Sequence, residues 1–424
     1  MAKIKQIAAR EILNAKGNPA VEATVILNDG TIEIASSPSG ASIGTFEAVE
    51  LKDADANRFS GIGVLKAVSN INNLIEPKLI GIDVNKQQEI DKIMIDLDGT
   101  QNKSHLGANA TLAVSQAVAK AAAKSSALPL FLYLRQFIKS NESELKIPTP
   151  IINLINGGKH AGNNLDFEGF LLIPASSKLY TDALQISVNI YNSLKKTLEA
   201  KNLHTLVGDE GGFGPNLSTN EDAFAYITQA IDDLNLRFGF DVFLGLDLSA
   251  NVFFSEGRYK IKDSSGSLSS SEIINYYENL TKKYHLLYLE DPLSEDDWDG
   301  WVNICLRLAD QAIIAGDDLT STNPYRLQMA LDKKAITGIV AKPSQIGTVI
   351  ESLAVIEVAR QAGLKIIVST RGGETTDDFI ADFAVATSAD YIKFGAPARG
   401  ENTVKYNRLL QIEEQIKSLH LKAE

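Results

Sequence analysis

Residues 286–291 read Leu-Leu-Tyr-Leu-Glu-Asp, a short apolar run that ends in acid. An unbroken apolar run of this length is how a parallel strand buried on both faces reads. Five further runs share the form: FLGLDL ending at Asp247, IIAGDD at Asp317, GIVAKP at Lys342, IIVSTR at Arg371 and YIKFG at Lys393. From Asp247 the steps to Glu290, Asp317, Lys342, Arg371 and Lys393 are 43, 27, 25, 29 and 22 residues. All but the first suit one strand plus one helix. A charge at the carboxyl end of such a strand points into the face where α/β barrels place their chemistry. Three carboxylates and three cations converging there predict a divalent metal site and a small, strongly anionic substrate.

Working outward from these runs, eight strand candidates follow Ile151: 151–155, 167–174, 242–247, 286–290, 312–316, 338–342, 365–369 and 391–395. Eight is the closure number of this barrel class. Helical periodicity separates the last six. Only a dozen polar positions separate the first two, too few for the usual helical crossover between parallel strands. The second strand is therefore predicted to run antiparallel, with its start at the catalytic end. Residues 1–140 read as a separate α+β unit. VEATVILNDG and TIEIASSP form a hairpin at Asp29-Gly30, and helices are expected near 62–81, 84–97 and 107–124. KSNESELKIPTP, 139–150, reads as a linker into a barrel unit of residues 141–424.

Composition narrows the function. The chain has 424 residues, 22% of them charged, and a net charge of −12, which argues against nucleic acid as the main partner. An anionic substrate must then be held by a local cationic pocket or by metal. Cys305 is the only cysteine, which excludes internal disulfides and cysteine-based zinc sites. No apolar stretch has membrane-spanning or signal-peptide length, so a cytoplasmic protein is expected.

The oxygen ligands Asp247, Glu290 and Asp317 suit Mg²⁺ or Mn²⁺. Strand-end carboxylates can also merely cap the following helices. Lys342 and Lys393, desolvated and near other cations, are expected to have lowered pKa values, which suits a base for a carbon-bound proton. A lysine that only pairs with an acid is the alternative. GDEGGFGPN, 208–216, displays Glu210 on a glycine-rich loop as a candidate acid, or as an ordinary capping turn. PSGASIG, 38–44, offers amides and hydroxyls that could cover an anion. INGGKHAGNN, 155–164, carries His160, and a lone loop histidine is more commonly structural.

Taken together these segments resemble the enolase (phosphopyruvate hydratase) family. GNPAVEATV, PSGASIGTFEAVELKD, LDGTQNKSHLGANATLAVS, LEDPLSEDDWDGW, GDDLTSTN, KPSQIGT, RGGETTDDFIADFAVA and GAPARGENTVKYNRLLQIEE join the motifs above in the family's order, over essentially the whole chain. The resemblance implies a small α+β N-terminal domain and a ββαα(βα)₆ barrel with an antiparallel second strand. It also implies Mg²⁺-dependent, reversible dehydration of 2-phosphoglycerate to phosphoenolpyruvate. Asp247, Glu290 and Asp317 would hold the first of two Mg²⁺ ions, and Ser42 the second, substrate-linked one. Lys342 would take the C2 proton and Glu210 would protonate the departing C3 hydroxyl. Lys393 would sit against the carboxylate, Arg371 would hold the phosphate, and His160 would lie near the leaving hydroxyl. A homodimer or a dimer-based oligomer is expected.

This chain also departs from the family. The second active-site glutamate falls on Gly169; Glu168 is one residue early and, on a strand, would face the other way unless a bulge intervenes. Thr370 and Gly372 flank Arg371 where the family has histidine and serine. Ile43 follows Ser42 where threonine is usual. Lys16 and Gln411 replace arginines, the latter one that pairs with the equivalent of Glu22 across a dimer interface. Three readings follow: an enolase, a paralogue acting on a related phospho- or phosphono-hydroxy acid, or a non-catalytic binding protein on this scaffold.

Overall fold

The computed structural model describes residues 2–40, 44–139, 145–162 and 164–421. Strands β1 (Ile4–Leu13), β2 (Pro19–Leu27) and β3 (Ile32–Ser37) form an antiparallel meander. The β2–β3 turn closes at Gly30, whose φ of +90° explains the glycine. Val21, Ala23, Val25 and Leu27 alternate inward along β2 and meet the alanine-rich helix Ala108–Ser125. Its small side chains let helix and sheet approach closely. The helix expected near 62–81 runs from Leu65 to Leu79 as Leu65–Asn70, a π-turn Ile71–Ile75 and Glu76–Leu79. Pro77 accounts for the π-turn, because it has no N–H to give the preceding turn and its ring crowds the carbonyl four residues back.

The barrel strands are β4 (Thr149–Asn156), β5 (Gly169–Pro174), β6 (Val242–Asp247), β7 (Leu286–Glu290), β8 (Ile313–Gly316), β9 (Gly338–Ala341), β10 (Lys365–Ser369) and β11 (Tyr391–Lys393). They close into one barrel in chain order, β11 pairing back onto β4. Strand β5 runs antiparallel to both neighbours, Asn156 opposing Gly169 and Gly169 opposing Asp247. Two helices, Tyr180–Ala200 and Asn220–Asp232, precede β6, and one helix follows each later strand. That is the ββαα(βα)₆ order.

The barrel is filled. Ile151, Leu171, Ile173, Tyr288, Ala315, Val340 and Ile367 form an inner apolar cluster. Function is thereby confined to the mouth above it, where the strand-tip charges emerge. Several contacts tie the N-terminal unit to that mouth. Ser39 and Gly373 exchange two backbone hydrogen bonds of 2.9 Å, Ala48 N–H donates to Gln345 O at 2.8 Å, and the buried Lys103 pairs with Glu351 at 2.8 Å.

Candidate functional site

Neighbouring strands bring the tips together in register. Asp247 pairs with Glu290 across β6 and β7, and Ser369 with Lys393 across β10 and β11. Lys393 Nζ sits between two carboxylates, 2.7 Å from Asp247 Oδ2 and 2.6 Å from Glu290 Oε1. Tyr288 donates its hydroxyl to the other oxygen of Glu290 at 2.6 Å. Lys342 Nζ bonds Asp317 Oδ2, and Gln345 Nε2 donates to Oδ1 of the same carboxylate at 3.1 Å.

Charge in this cluster is unevenly balanced. Burial, then repulsion by Asp247, lifts Glu290 to about 8 despite Lys393. Burial lifts Asp247 as well. Asp317 goes the other way: burial pushes it up, but Lys342 and Lys393 hold it below the usual carboxylate range. The lysines do not behave as expected. Burial does push Lys342 down, yet its contact with Asp317 outweighs that and the net shift is upward. Lys393 also moves up, because Asp247 and Glu290 overcome its desolvation. The expectation of lowered lysine pKa values is thus corrected, since it took account of the neighbouring cations and overlooked the closer acids.

Across the mouth, Glu210 accepts hydrogen bonds from Asn153 Nδ2 and, at 3.4 Å, from Asn156 Nδ2, both on β4. The glycines around it permit this approach: a Cβ on Gly212 would lie 2.7 Å from Asn153 Oδ1. His160 lies beside it, with Nε2 3.3 Å from Glu168 Oε2 and Nδ1 3.5 Å from Asp209 Oδ2. Burial opposes its charge, but Glu210, Asp209 and Glu168 together carry it up to about 11, so the ring is an imidazolium. Asp209 also pairs with Lys16, and these two cations outweigh its burial to hold it near about 2.

Glu168 overturns an expectation. It lies in the bend ahead of β5, because the strand begins at Gly169 and not at 167. Strand alternation therefore does not govern it, and its carboxylate faces the mouth. Ser249 Oγ donates to Glu168 Oε2 at 2.9 Å, with Asp247 Oδ1 3.2 Å away.

Arg371 Nη1 donates to Glu47 Oε2 at 2.7 Å and to Ser344 Oγ at 3.3 Å. Glu47 comes from the N-terminal unit, so both units build this wall. Thr370 Oγ1 donates to Lys393 O at 3.2 Å. A cleft joins Glu47, His160, Glu168, Glu210, Asp247, Ser249, Asp317, Asp318, Lys342, Gln345, Thr370, Arg371, Gly372 and Lys393. Apart from Gly372, every residue lining it carries a polar or charged side chain. Ser42 lies outside the described residues.

One acidic group among the described residues is close enough to share a hard divalent cation, and of the expected ligands Asp247, Glu290 and Asp317 it includes only Asp317. The carboxylate oxygens of Asp291, Asp317 and Asp318 lie within 4.8 Å of one another, a grouping the strand tips alone did not reveal. Asp291 is engaged by the backbone N–H groups of Asp317 at 3.0 Å and Asp318 at 2.7 Å, which fixes Asp317 from behind. Burial and the charge of Asp317 lift Asp318 to about 7. Oxygen-only ligands with surplus negative charge are what Mg²⁺ relieves. Sequence reasoning also missed Glu47, Asp209 and Ser249, which carry no strand-tip signature. Among the described residues no helix is long and apolar enough to cross a membrane.

Comparison with family models gives two matches. Residues 4–134 match "Enolase, N-terminal domain" and residues 144–422 match "Enolase, C-terminal TIM barrel domain".

Proposed function

The chain belongs to the enolase family, and from that premise we propose that it is a Mg²⁺-dependent hydro-lyase that reversibly dehydrates 2-phosphoglycerate to phosphoenolpyruvate. The observation that carries this reading is the division of the mouth into two halves. On one side, Lys342 and Lys393 lie against the buried acids Asp247, Glu290 and Asp317. On the other, Glu210 stands beside the imidazolium of His160. Removing a proton from C2 and a hydroxyl from C3 needs a base and an acid, and the two halves offer one each.

In this reading Lys342, once the proton it holds against Asp317 has passed to solvent, takes the C2 proton, and Lys393 faces the substrate carboxylate. Glu210 gives a proton to the C3 hydroxyl, which leaves as water as the C2–C3 double bond forms. Arg371 faces the phosphate, with Glu47 fixing its guanidinium, and His160 lies beside the departing hydroxyl. Asp247, Glu290 and Asp317 would hold the first Mg²⁺, and Ser42 the second, substrate-linked one. When bound, the metal neutralises the substrate carboxylate and stabilises the negative charge that develops there.

We further propose a division at residues 1–140 and 141–424, which the two matched spans support. A cytoplasmic homodimer with no nucleic-acid partner completes the proposal. Its interface would lack the family's arginine contact at this position, because residue 411 is the uncharged Gln411. The smaller residues Thr370 and Gly372 in the cleft favour a second reading, a related phospho- or phosphono-hydroxy acid. Ultraviolet detection of phosphoenolpyruvate made from 2-phosphoglycerate, with Mg²⁺ and with chelator, separates the two. Product only with Mg²⁺ supports the first reading. No product, while Mg²⁺ still raises the melting temperature, favours the second.

A further inference from the structure

A cavity lies at the end of the barrel opposite the mouth. Parallel strands begin there: Thr149, Lys365 and Tyr391 are the first residues of β4, β10 and β11. The antiparallel β5 ends there at Pro174 and delivers Ser176, Lys178 and Leu179 to the same rim. The last helix, Gly400–Leu421, adds Glu413, Ile416 and Lys417, which share one face at spacings of three and four. The cavity measures about 510 Å³, within the range of about 300–1,000 Å³ usual for small-molecule sites.

Its lining is unlike that of the mouth. Leu145, Ile147, Leu179 and Ile416 supply an apolar wall, and Tyr391, packed against the inner apolar cluster, closes the floor. Leu179 is 59% exposed, a large apolar side chain left facing solvent at the start of the helix Tyr180–Ala200. The charged groups are Lys146, Lys178, Lys365 and Lys417 against Asp390 and Glu413, an excess of two cations in a chain whose net charge is −12. Both acids are already engaged by backbone. Asp390 accepts from Ile366 N–H at 3.0 Å and from Lys365 at 3.2 Å, and Glu413 accepts from Tyr180 N–H at 3.0 Å and lies 3.1 Å from Lys417. Lys146 and Lys178 are held at longer range, 3.9 Å from Asp390 and 3.6 Å from Asp241. Asp241 also pairs with Arg237 at 2.9 Å, so counting that pair leaves the excess at two. Burial, then the charge of Asp390, raises the pKa of Tyr391, so its hydroxyl keeps its proton at neutral pH and can donate to an anion.

We propose that this cavity binds a small organic phosphate monoester, with the phosphate among the four lysines and an apolar or aromatic body against Leu145, Ile147, Leu179, Ile416 and Tyr391. A phosphate monoester carries close to two negative charges above its second pKa of about 6, which matches the cationic excess. A wholly apolar ligand would desolvate the ammoniums without pairing them, and a bare inorganic anion would leave the apolar wall in water. Binding, not chemistry, is what this end of an α/β barrel offers. The site does not depend on the dehydratase reading.

The test is calorimetric titration of the full chain with phenyl phosphate, in chelator and at a pH about one unit or more above the second phosphate pKa of about 6. Saturable binding of one molecule per chain is expected, weakened by added salt because the lysines are near the surface. Inorganic phosphate should bind at least about tenfold more weakly, since it lacks the apolar body. Lys365 and Lys417 are both more than half exposed, so the double variant Lys365→Gln/Lys417→Gln should melt as wild type does. It should bind phenyl phosphate about tenfold more weakly. Leu179→Ser should lose a few-fold for phenyl phosphate and leave inorganic phosphate unaffected. No saturable binding by wild type, equal affinity for inorganic phosphate, or unchanged affinity in the double lysine variant would each overturn the proposal. The last of these would place the phosphate elsewhere, as at the barrel mouth.

Discussion

Replacing Lys393 with methionine keeps most of the side-chain volume and removes one ammonium. That ammonium bonds Asp247 at 2.7 Å and Glu290 at 2.6 Å, and the side chains of all three residues are at most 10% exposed. Even with it present, burial and mutual repulsion lift Glu290 to about 8 and raise Asp247. Without it the two acids face each other with no cation between them. Breaking a buried pair by removing one partner costs about 3–5 kcal/mol. With an unfolding entropy of ~2.1 cal/mol/K per residue, a chain of this length loses about 1 °C of melting temperature per kcal/mol, so a drop of ~3–5 °C is expected in chelator.

The pH dependence has a defined sign. Acids whose folded pKa lies above the unfolded value stabilise the fold when protonated, and that contribution is lost as pH rises from the unfolded to the folded pKa. Removing Lys393 raises the folded values further, so the deficit for Glu290 opens as pH passes about 8, below which the acid is protonated in both proteins. A bound divalent cation should narrow it, since a ligand at 100 times its Kd contributes about 2.7 kcal/mol. Thermal unfolding of both proteins by circular dichroism, at pH 5 and pH 8, in chelator and in Mg²⁺, gives the comparison. Equal melting temperatures at pH 8 in chelator would refute the view that Lys393 neutralises these carboxylates.

Two further outcomes are expected. Burial lifts Asp91, packed against the barrel helix through Ile350 N–H, to about 7, so the fold holds a proton that the unfolded chain releases near 3.8. Stability should fall between those values by up to about 1.4 kcal/mol per pH unit, and Asp91→Asn, tested by urea unfolding, should remove that slope. Glu351→Ala strands the buried ammonium of Lys103 between the two units. Because Glu351 is itself a quarter exposed, we expect a loss of about 2–3 kcal/mol in the same assay, below the full range for buried pairs.

The barrel was legible because each strand is an apolar run ending in a charge, and the short polar connector before β5 disclosed its direction. Side-chain facing at β5 was not legible. Two residues of uncertainty in where the strand starts decide whether Glu168 obeys alternation, and the bend places it in the cleft. The electrostatics of Lys342 and Lys393 were misread for a related reason: run ends reveal that charges converge, while the pairings that set the sign of each shift depend on atomic contact. Glu47 was invisible, since it meets Arg371 across 324 residues of sequence. The Asp291–Asp317–Asp318 grouping depends on two backbone amides turning onto Asp291, which no spacing announces.

The reading of the barrel mouth as an enolising site is tested by washout of deuterium from C2-deuterated 2-phosphoglycerate in ordinary water. The wild-type protein should lose the label with Mg²⁺ and retain it in chelator. Lys342→Ala, which removes the base, should slow washout by roughly 10²–10⁴-fold. Retention of the label by wild type in Mg²⁺, or washout by Lys342→Ala at the wild-type rate, would contradict it.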